Sequence, residues 1–519
     1  MKSSNVCAIG IILLALSLFT GLPNAVAAAK YGGTLKVVSK GIQSLDPVFT
    51  TSAPTRIAVS AMFDSLFAWD EQGKVCPMMV DQWTVSPDLK LYTFTLQRGL
   101  LFHNGQPVTT DDVIASLNRW SQTDAWGKTI FDNLEAMSKV DARTFTMKLK
   151  QPYGLLTKAL GKPGSPMPVI MPKEQAATPS KNPVNAPIGS GPFKLVEWKP
   201  GRHLILEKFK DYKPRPEPAS GFAGGKIAYV DRLEFLEVPD VATQLAALAT
   251  GELHVIPEVA HDQVTQVRKN PQTEARPIMP TIMEMLMFNK ARPPFDNVKV
   301  RRAIQTAVNN AAVMRLAVGH DEFFRVTPSV FFEGTAFESK AGMEYFNQVN
   351  VEKGKALLKE AGGPPGKPVI MIVAKEFPHH YNAALALKQE LEQLGFKIDF
   401  QVYDWSTIVA MRNNKDKWDI FAGGLSFASN AEPATALWMN PKWMGWYESP
   451  RIEELSKKYF VAKTLAEQKK IVDQIQAVFY EDVPFVKLGE MAYVCAHRKE
   501  VKGFVKTEDP VFWNVWLDK

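Results

Sequence analysis

The sequence predicts an α/β protein of two large lobes with a small α+β lobe. Three observations predict it. The chain has 519 residues, more than one hydrophobic core usually supports. Residues 369–403 read as strand, helix and strand, a unit that requires a parallel pair with a right-handed crossover. Residues 91–149 carry two alternating strands on either side of an amphipathic helix, the pattern of a small separate layer. A hydrophobic fraction of 46%, 22% charged residues and 36 prolines describe a folded chain with many loop stops, not a disordered or fibrous one.

The first residues read as an export signal. Lys2 supplies a short positive region, the run from Ala8 to Leu22 is apolar, and Ala25-Val26-Ala27 offers a small-x-small cleavage site. The run falls short of the ~20 residues that cross a bilayer, so a cleaved signal is expected over residues 1–27, with the mature chain starting at Ala28. Cys7 precedes the apolar run, the wrong place for a lipid-modified cysteine, and a soluble protein of the Gram-negative periplasm is expected. An oxidising compartment permits Cys76 and Cys495 to pair without requiring it. The net charge of +7 becomes 7 − 1 = +6 when Lys2 leaves with the signal. Its charges are interleaved with no run of five of one sign, which argues against a nucleic-acid surface.

After the signal, Thr34 to Val38 reads as a strand and Ser44-Leu45-Asp46-Pro47 as a turn. Leu91 to Arg98 alternates Tyr92, Phe94 and Leu96 against polar residues, and Thr144 to Leu149 repeats the pattern. Between them Thr110 is a natural N-cap, and Val113, Ile114, Leu117 and Trp120 share a helical face. The Pro, Ser and Asn-rich passage from Ala176 to Pro192 is a candidate crossover between lobes. Phe193 to Trp198 and Leu204 to Phe209 flank Lys199-Pro200-Gly201-Arg202 as a hairpin, Val241 to Ala249 is a helix stopped by Gly251, and Leu253 to Ile256 starts a strand. Lys290 to Pro294 is a second boundary, after which Val300 to Val318 reads as one helix ending at Gly319. No repeat of 20 to 50 residues interrupts this order.

Several stretches together resemble the extracellular solute-binding family 5 of ABC importers, the peptide and nickel type. They are Tyr31-Gly32-Gly33-Thr34-Leu35 with Ser44 to Pro47, Asp64-Ser65-Leu66-Phe67, and Tyr92 to Leu96 running into Gly99 to Val113 as GLLFHNGQPVTTDDV. Gly189 to Phe193, Val298 to Ala307 as VKVRRAIQTA, Tyr381 to Gly395, and Trp418-Asp419-Ile420 with Gly423-Gly424 continue it. The resemblance implies the large three-part variant of the type II periplasmic binding protein fold. With the breaks above, the chain divides into a first lobe at 28–75, 186–290 and 486–519, a small inserted lobe at 76–185 and a second large lobe at 291–485. It further implies a solute held between the large lobes by hinge closure, and delivery to permease subunits at the membrane.

No catalytic or metal arrangement stands out. Gly189-Ser190-Gly191-Pro192 lacks the Gly-Lys-Ser/Thr of a phosphate loop and reads as a tight turn between lobes. His379 and His380 are adjacent, so their rings are expected to diverge, and no cofactor or metal is expected. No H-E-x-x-H, G-x-S-x-G or Cys with a His partner supports hydrolysis.

The binding candidates centre on Gly423 to Tyr447. Aromatic groups near short polar side chains suit a cleft that sandwiches an amphipathic solute, which selects Phe427, Ser429, Asn430, Glu432, Trp443, Trp446 and Tyr447. Asp46 and Phe49 join them from the first lobe. Trp405 follows the second strand of the parallel unit, where α/β sheets place their crevices. In dipeptide-type relatives an aspartate of this loop meets the ligand's amine; the matching position here is Ser429, with Glu432 three residues on as its replacement. Those relatives carry an arginine for the ligand carboxylate near Ala374-Lys375, where Lys375 offers only a point charge. The expected ligand is therefore a peptide or similar polar solute, bound by a monomer without catalysis. A metal chelate, an opine-like conjugate or an oligosaccharide stays open, as do an exported hydrolase and a sensor module.

Overall fold

The computed structural model describes residues 29–39, 41–50, 52–427 and 430–519, apart from the Ser406 side chain. The expected export segment and Ser429 lie outside the described residues. The chain forms a two-lobed α/β fold around an 11-stranded sheet. The half that belongs to the second lobe has strands Ile398–Tyr403, Val369–Ala374 and Ile420–Ser426 side by side, all parallel. The first-lobe half runs through Val255–Val259, Thr34–Ser39, Arg232–Glu237, His203–Lys208 and Phe193–Lys199. Joining the halves are two long antiparallel strands, Thr273–Phe288 and Phe485–Arg498. Their pairing slips between Ile278 and Ile282, around the Met279-Pro280 bond, because a proline has no N–H to give to the ladder.

The parallel unit forms as its pattern demands. The helix between its strands, Pro378–Gln393, buries Ala383, Ala384, Leu387 and Leu391 on the sheet. The small lobe is a four-stranded antiparallel sheet of Val80–Val85, Leu91–Leu96, Thr144–Leu149 and Leu134–Lys139. Its helix Thr110–Ser121 is capped by Thr109, one residue before the expected cap, with Asp112 returning the contact to the Thr109 backbone.

The expected single helix over Val300 to Val318 is two helices, Val298–Ala307 and Asn310–Val318. Val308 turns extended, and the Asn309 side chain accepts from the Ala312 N–H and starts the second helix. A local cap outcompetes helical continuation at this point. Gly189 and Gly191 lie against the 61–63 backbone: a Cβ on Gly189 would sit 1.9 Å from the Met62 carbonyl oxygen, so close chain packing is what these glycines provide. Cys76 and Cys495 are free thiols, and burial pushes Cys495 up to about 12.

Candidate functional site

The lobes meet across a cavity of about 1080 Å³. Thr123 to Thr129 and Lys162 to Pro166 of the small lobe form one wall, the 433–460 stretch of the second lobe forms the other, and Arg56 enters from the first lobe. Contacts on its rim tie the walls together: Tyr153 stacks on Phe460 with ring centres 5.6 Å apart, and the Gly154 N–H donates to the Phe460 carbonyl. A space of this volume takes a drug-sized or short-peptide solute.

Charges around the cavity differ in whether they have partners. Arg56 donates to Asp509 at 2.5 Å, and Lys162 pairs with Asp124. Arg412 has no such partner. Its guanidinium makes no ion pair or hydrogen bond among the described residues, only a 5.1 Å approach to the Trp405 ring, and burial lowers its pKa. A half-buried guanidinium without an anion is free to donate to a carboxylate.

A narrower cavity of about 100 Å³ lies where Asp70 to Gly73, Met279-Pro280 and Lys506 to Glu508 face Phe337, Phe427 and Glu432. Four carboxylates line it, Asp70, Glu71, Glu432 and Glu508, and the last two are enclosed. Glu432, 1% exposed, accepts from the Tyr459 hydroxyl at 2.5 Å and pairs with Lys158 at 3.0 Å, both through Oε2. Lys158 itself lies between the Trp69 and Phe337 rings. The Oε1 atoms of Glu432 and Glu508 are enclosed without a hydrogen-bond partner. Burial and the neighbouring Asp509 charge raise Glu508 to about 7, against the pull of Arg56. Glu432 and Glu508 thus each leave one acceptor atom without a donor.

The sequence-chosen residues divide among these surroundings. Phe427 and Glu432 line the narrow cavity and Tyr447 the large one. The Tyr447 hydroxyl donates to Asp482 at 2.7 Å. Asp46 is fully buried, with Oδ1 and Oδ2 gripped by the Arg119 guanidinium at 3.0 and 2.6 Å and Oδ2 also accepting from the Val184 N–H. Its carboxylate joins the first lobe to the small one and faces neither cavity. Asn430, also fully buried, donates to the Val330 carbonyl at 2.6 Å. Trp446 packs on Trp418 with ring centres 5.9 Å apart, and Trp443 rests half-buried on the main core. Trp405 meets Phe377 edge to face at 5.2 Å. Lys375 and Phe49 are exposed, and neither lines the two cavities.

Sequence reasoning missed Arg56, Lys158, Arg412 and Glu508. Arg412 lies seven residues after Trp405, two helical turns on, and that spacing was its one available signal. The expectation for His379 and His380 is corrected. Both sit in the first turn of the helix Pro378–Gln393, and their rings converge to 4.3 Å over Glu284 instead of diverging. Gly424 makes the room, since a Cβ there would lie 2.9 Å from His380 Cε1.

Comparison with known proteins follows the same outline. The sequence model described as bacterial extracellular solute-binding proteins, family 5 Middle, matches residues 74–447. A probable peptide ABC transporter periplasmic-binding protein, y4tO of Sinorhizobium fredii, is 33% identical over 95% of this chain and 94% of its own. The glutathione-binding protein GsiB of Escherichia coli is 24% identical over 95% of each chain. Among solved structures, AgaA of A. tumefaciens R10 in complex with agropinic acid superposes with a TM-score of 0.75 at 27% identity, covering 94% of this chain and 99% of that one. The Helicobacter pylori periplasmic binding protein DppA with the peptide STSA gives 0.76 at 22% identity over 94% and 99%.

Proposed function

The chain belongs to the bacterial extracellular solute-binding proteins, family 5, and from that premise we propose that it captures a short peptide or peptide-like conjugate bearing both an ammonium and a carboxylate group. It is a periplasmic binding protein of an ABC importer, and it presents its solute to the permease. The observation that carries the ligand reading is the presence of unsatisfied groups of opposite sign in the two cavities. Enclosed acceptor atoms of Glu432 and Glu508 line the narrow cavity, and the partnerless Arg412 guanidinium lines the large one.

In this reading the amine enters the narrow cavity and the chain of the solute lies in the large one against Trp126, Tyr447 and Phe460. Arg412 takes the carboxylate in two parallel hydrogen bonds, which a lysine at 375 would not. Closure pivots on the ladder slip at Ile278 to Ile282, where the two long strands pass between lobes. The peptide-transport name of the Sinorhizobium relative and the peptide and agropinic acid of the solved relatives support this ligand class. The protein acts as a monomer, delivered by a cleaved signal over residues 1–27, and returns the solute unchanged.

Titration calorimetry with one tetrapeptide in four forms tests the reading: free, N-acetylated, C-amidated and blocked at both ends. The free peptide should bind most tightly, each single block should weaken binding, and the doubly blocked form should bind least. Equal affinity for all four forms would remove both charge contacts.

A further inference from the structure

Apart from the solute cleft, Glu284, His379 and His380 gather under the first turn of the helix Pro378–Gln393. Glu284 stands on the long strand Thr273–Phe288, fully buried, where an isolated carboxylate would be costly. One of its oxygens is satisfied: Oε2 lies 2.8 Å from His380 Nδ1. The other is not. Oε1 faces His379 Nε2 at 3.7 Å, too far for a hydrogen bond, and neither atom has another hydrogen-bond partner. A His–Glu pair built only to satisfy itself would close that gap with a small ring rotation. Two partnerless ligand atoms at this separation suit an ion between them.

We propose that Glu284, His379 and His380 form a site for a divalent transition-metal ion, zinc foremost, distinct from the solute cleft. A nitrogen from each histidine and a Glu284 oxygen lie within 4.8 Å of one another. Tetrahedral zinc with bonds of ~2.0–2.1 Å sets its ligand atoms ~3.4 Å apart, so the ion draws this set together by side-chain adjustment alone. Two imidazoles and one carboxylate are a borderline donor set, suited to zinc or nickel and not to magnesium or calcium, which prefer an all-oxygen shell. Gly424 is part of the design because any side chain there displaces the His380 ring. The ion fastens the helix to the strand that crosses between the lobes, so its binding energy adds to the stability of the second lobe.

The test uses the full mature chain stripped with a chelator and then titrated with Zn²⁺ in a calorimeter and with Co²⁺ in a spectrophotometer. The expected result is one equivalent of each, with visible cobalt absorption of a nitrogen and oxygen site and a rise in melting temperature. His379→Ala, which removes a half-buried ring, should weaken Zn²⁺ by at least roughly 100-fold, beyond what loss of an outer-shell partner costs. Glu284→Gln should do the same while conserving shape, and His203→Ala, at a surface histidine paired with Glu197, should leave binding unchanged. Absence of a stoichiometric equivalent, or undiminished binding in His379→Ala, overturns the site. Peptide titration of the stripped chain reads the solute cleft separately.

Discussion

Asp46 and Glu508 are carboxylates placed at junctions of the same molecule, and they are finished differently. Asp46 has each oxygen committed, to the two arms of Arg119 and to the Val184 N–H. Glu508 has an enclosed Oε1 with no donor, beside a cavity shared by both lobes. A saturated group holds two pieces of protein together and has nothing left for a ligand. An unsaturated one stores a desolvation cost that a solute relieves on binding, and that difference separates structural charge from recognition charge.

Breaking the saturated junction should have the larger effect. Asp46→Ala leaves the Arg119 guanidinium buried without its anion and should cost about 3–5 kcal/mol of stability. Urea denaturation checks this, and the folded fraction of the variant should still bind solute with native affinity. Glu508→Gln should do the reverse. Loss of one charge-assisted hydrogen bond should weaken a peptide with a free amine by about 1.5–3 kcal/mol, read by calorimetry, while the solute-free variant should melt no lower than the native chain at pH 7.

The same residue gives the comparison a pH signature. Because the folded protein holds the Glu508 carboxyl above its unfolded value, its contribution to stability is complete below the ordinary carboxylate range. That contribution is lost as pH rises through about 7. The solute-free chain should therefore melt at progressively lower temperature between pH 5 and 8, while affinity for the ammonium group rises over the same interval. Glu508→Gln should flatten this share of both trends. The smallest effect is expected at Tyr447→Phe, which removes the hydroxyl bond to Asp482 but keeps the ring on the cavity wall. It should cost about 1 kcal/mol of stability with little change in affinity.

Much of the fold was legible because periodicity reports burial. The strand Leu91–Leu96 forms where its alternation places it, the hairpin Phe193–Lys208 where its Pro-Gly turn does, and the parallel unit from Val369 to Tyr403 where an apolar run, a helix and an alternating strand follow one another. What periodicity does not report is a local cap, so Asn309 splits a helix whose hydrophobic pattern runs unbroken on both sides. The site was legible only as a neighbourhood. The 423–447 stretch does supply Phe427, Glu432 and Tyr447 to the cavities, yet Trp446 and Asn430 from the same stretch point into packing. Composition cannot tell these apart, because an aromatic ring is equally suited to a core and to a cleft wall. Glu508 and Arg412 stand out only in three dimensions, where the missing partner is visible. His379 and His380 show the same limit, since their convergence depends on Gly424 in a strand far along the chain.

The central claim is that a solute with opposite charges bridges the cleft and leaves unchanged. It is tested most directly by native mass spectrometry of the mature chain after incubation with a mixture of short peptides, followed by gentle denaturation to release what is held. The account predicts one peptide per chain, recovered at its original mass and enriched for free amino and carboxyl ends. A chain that retains nothing from the mixture, or that releases cleaved fragments, would contradict it.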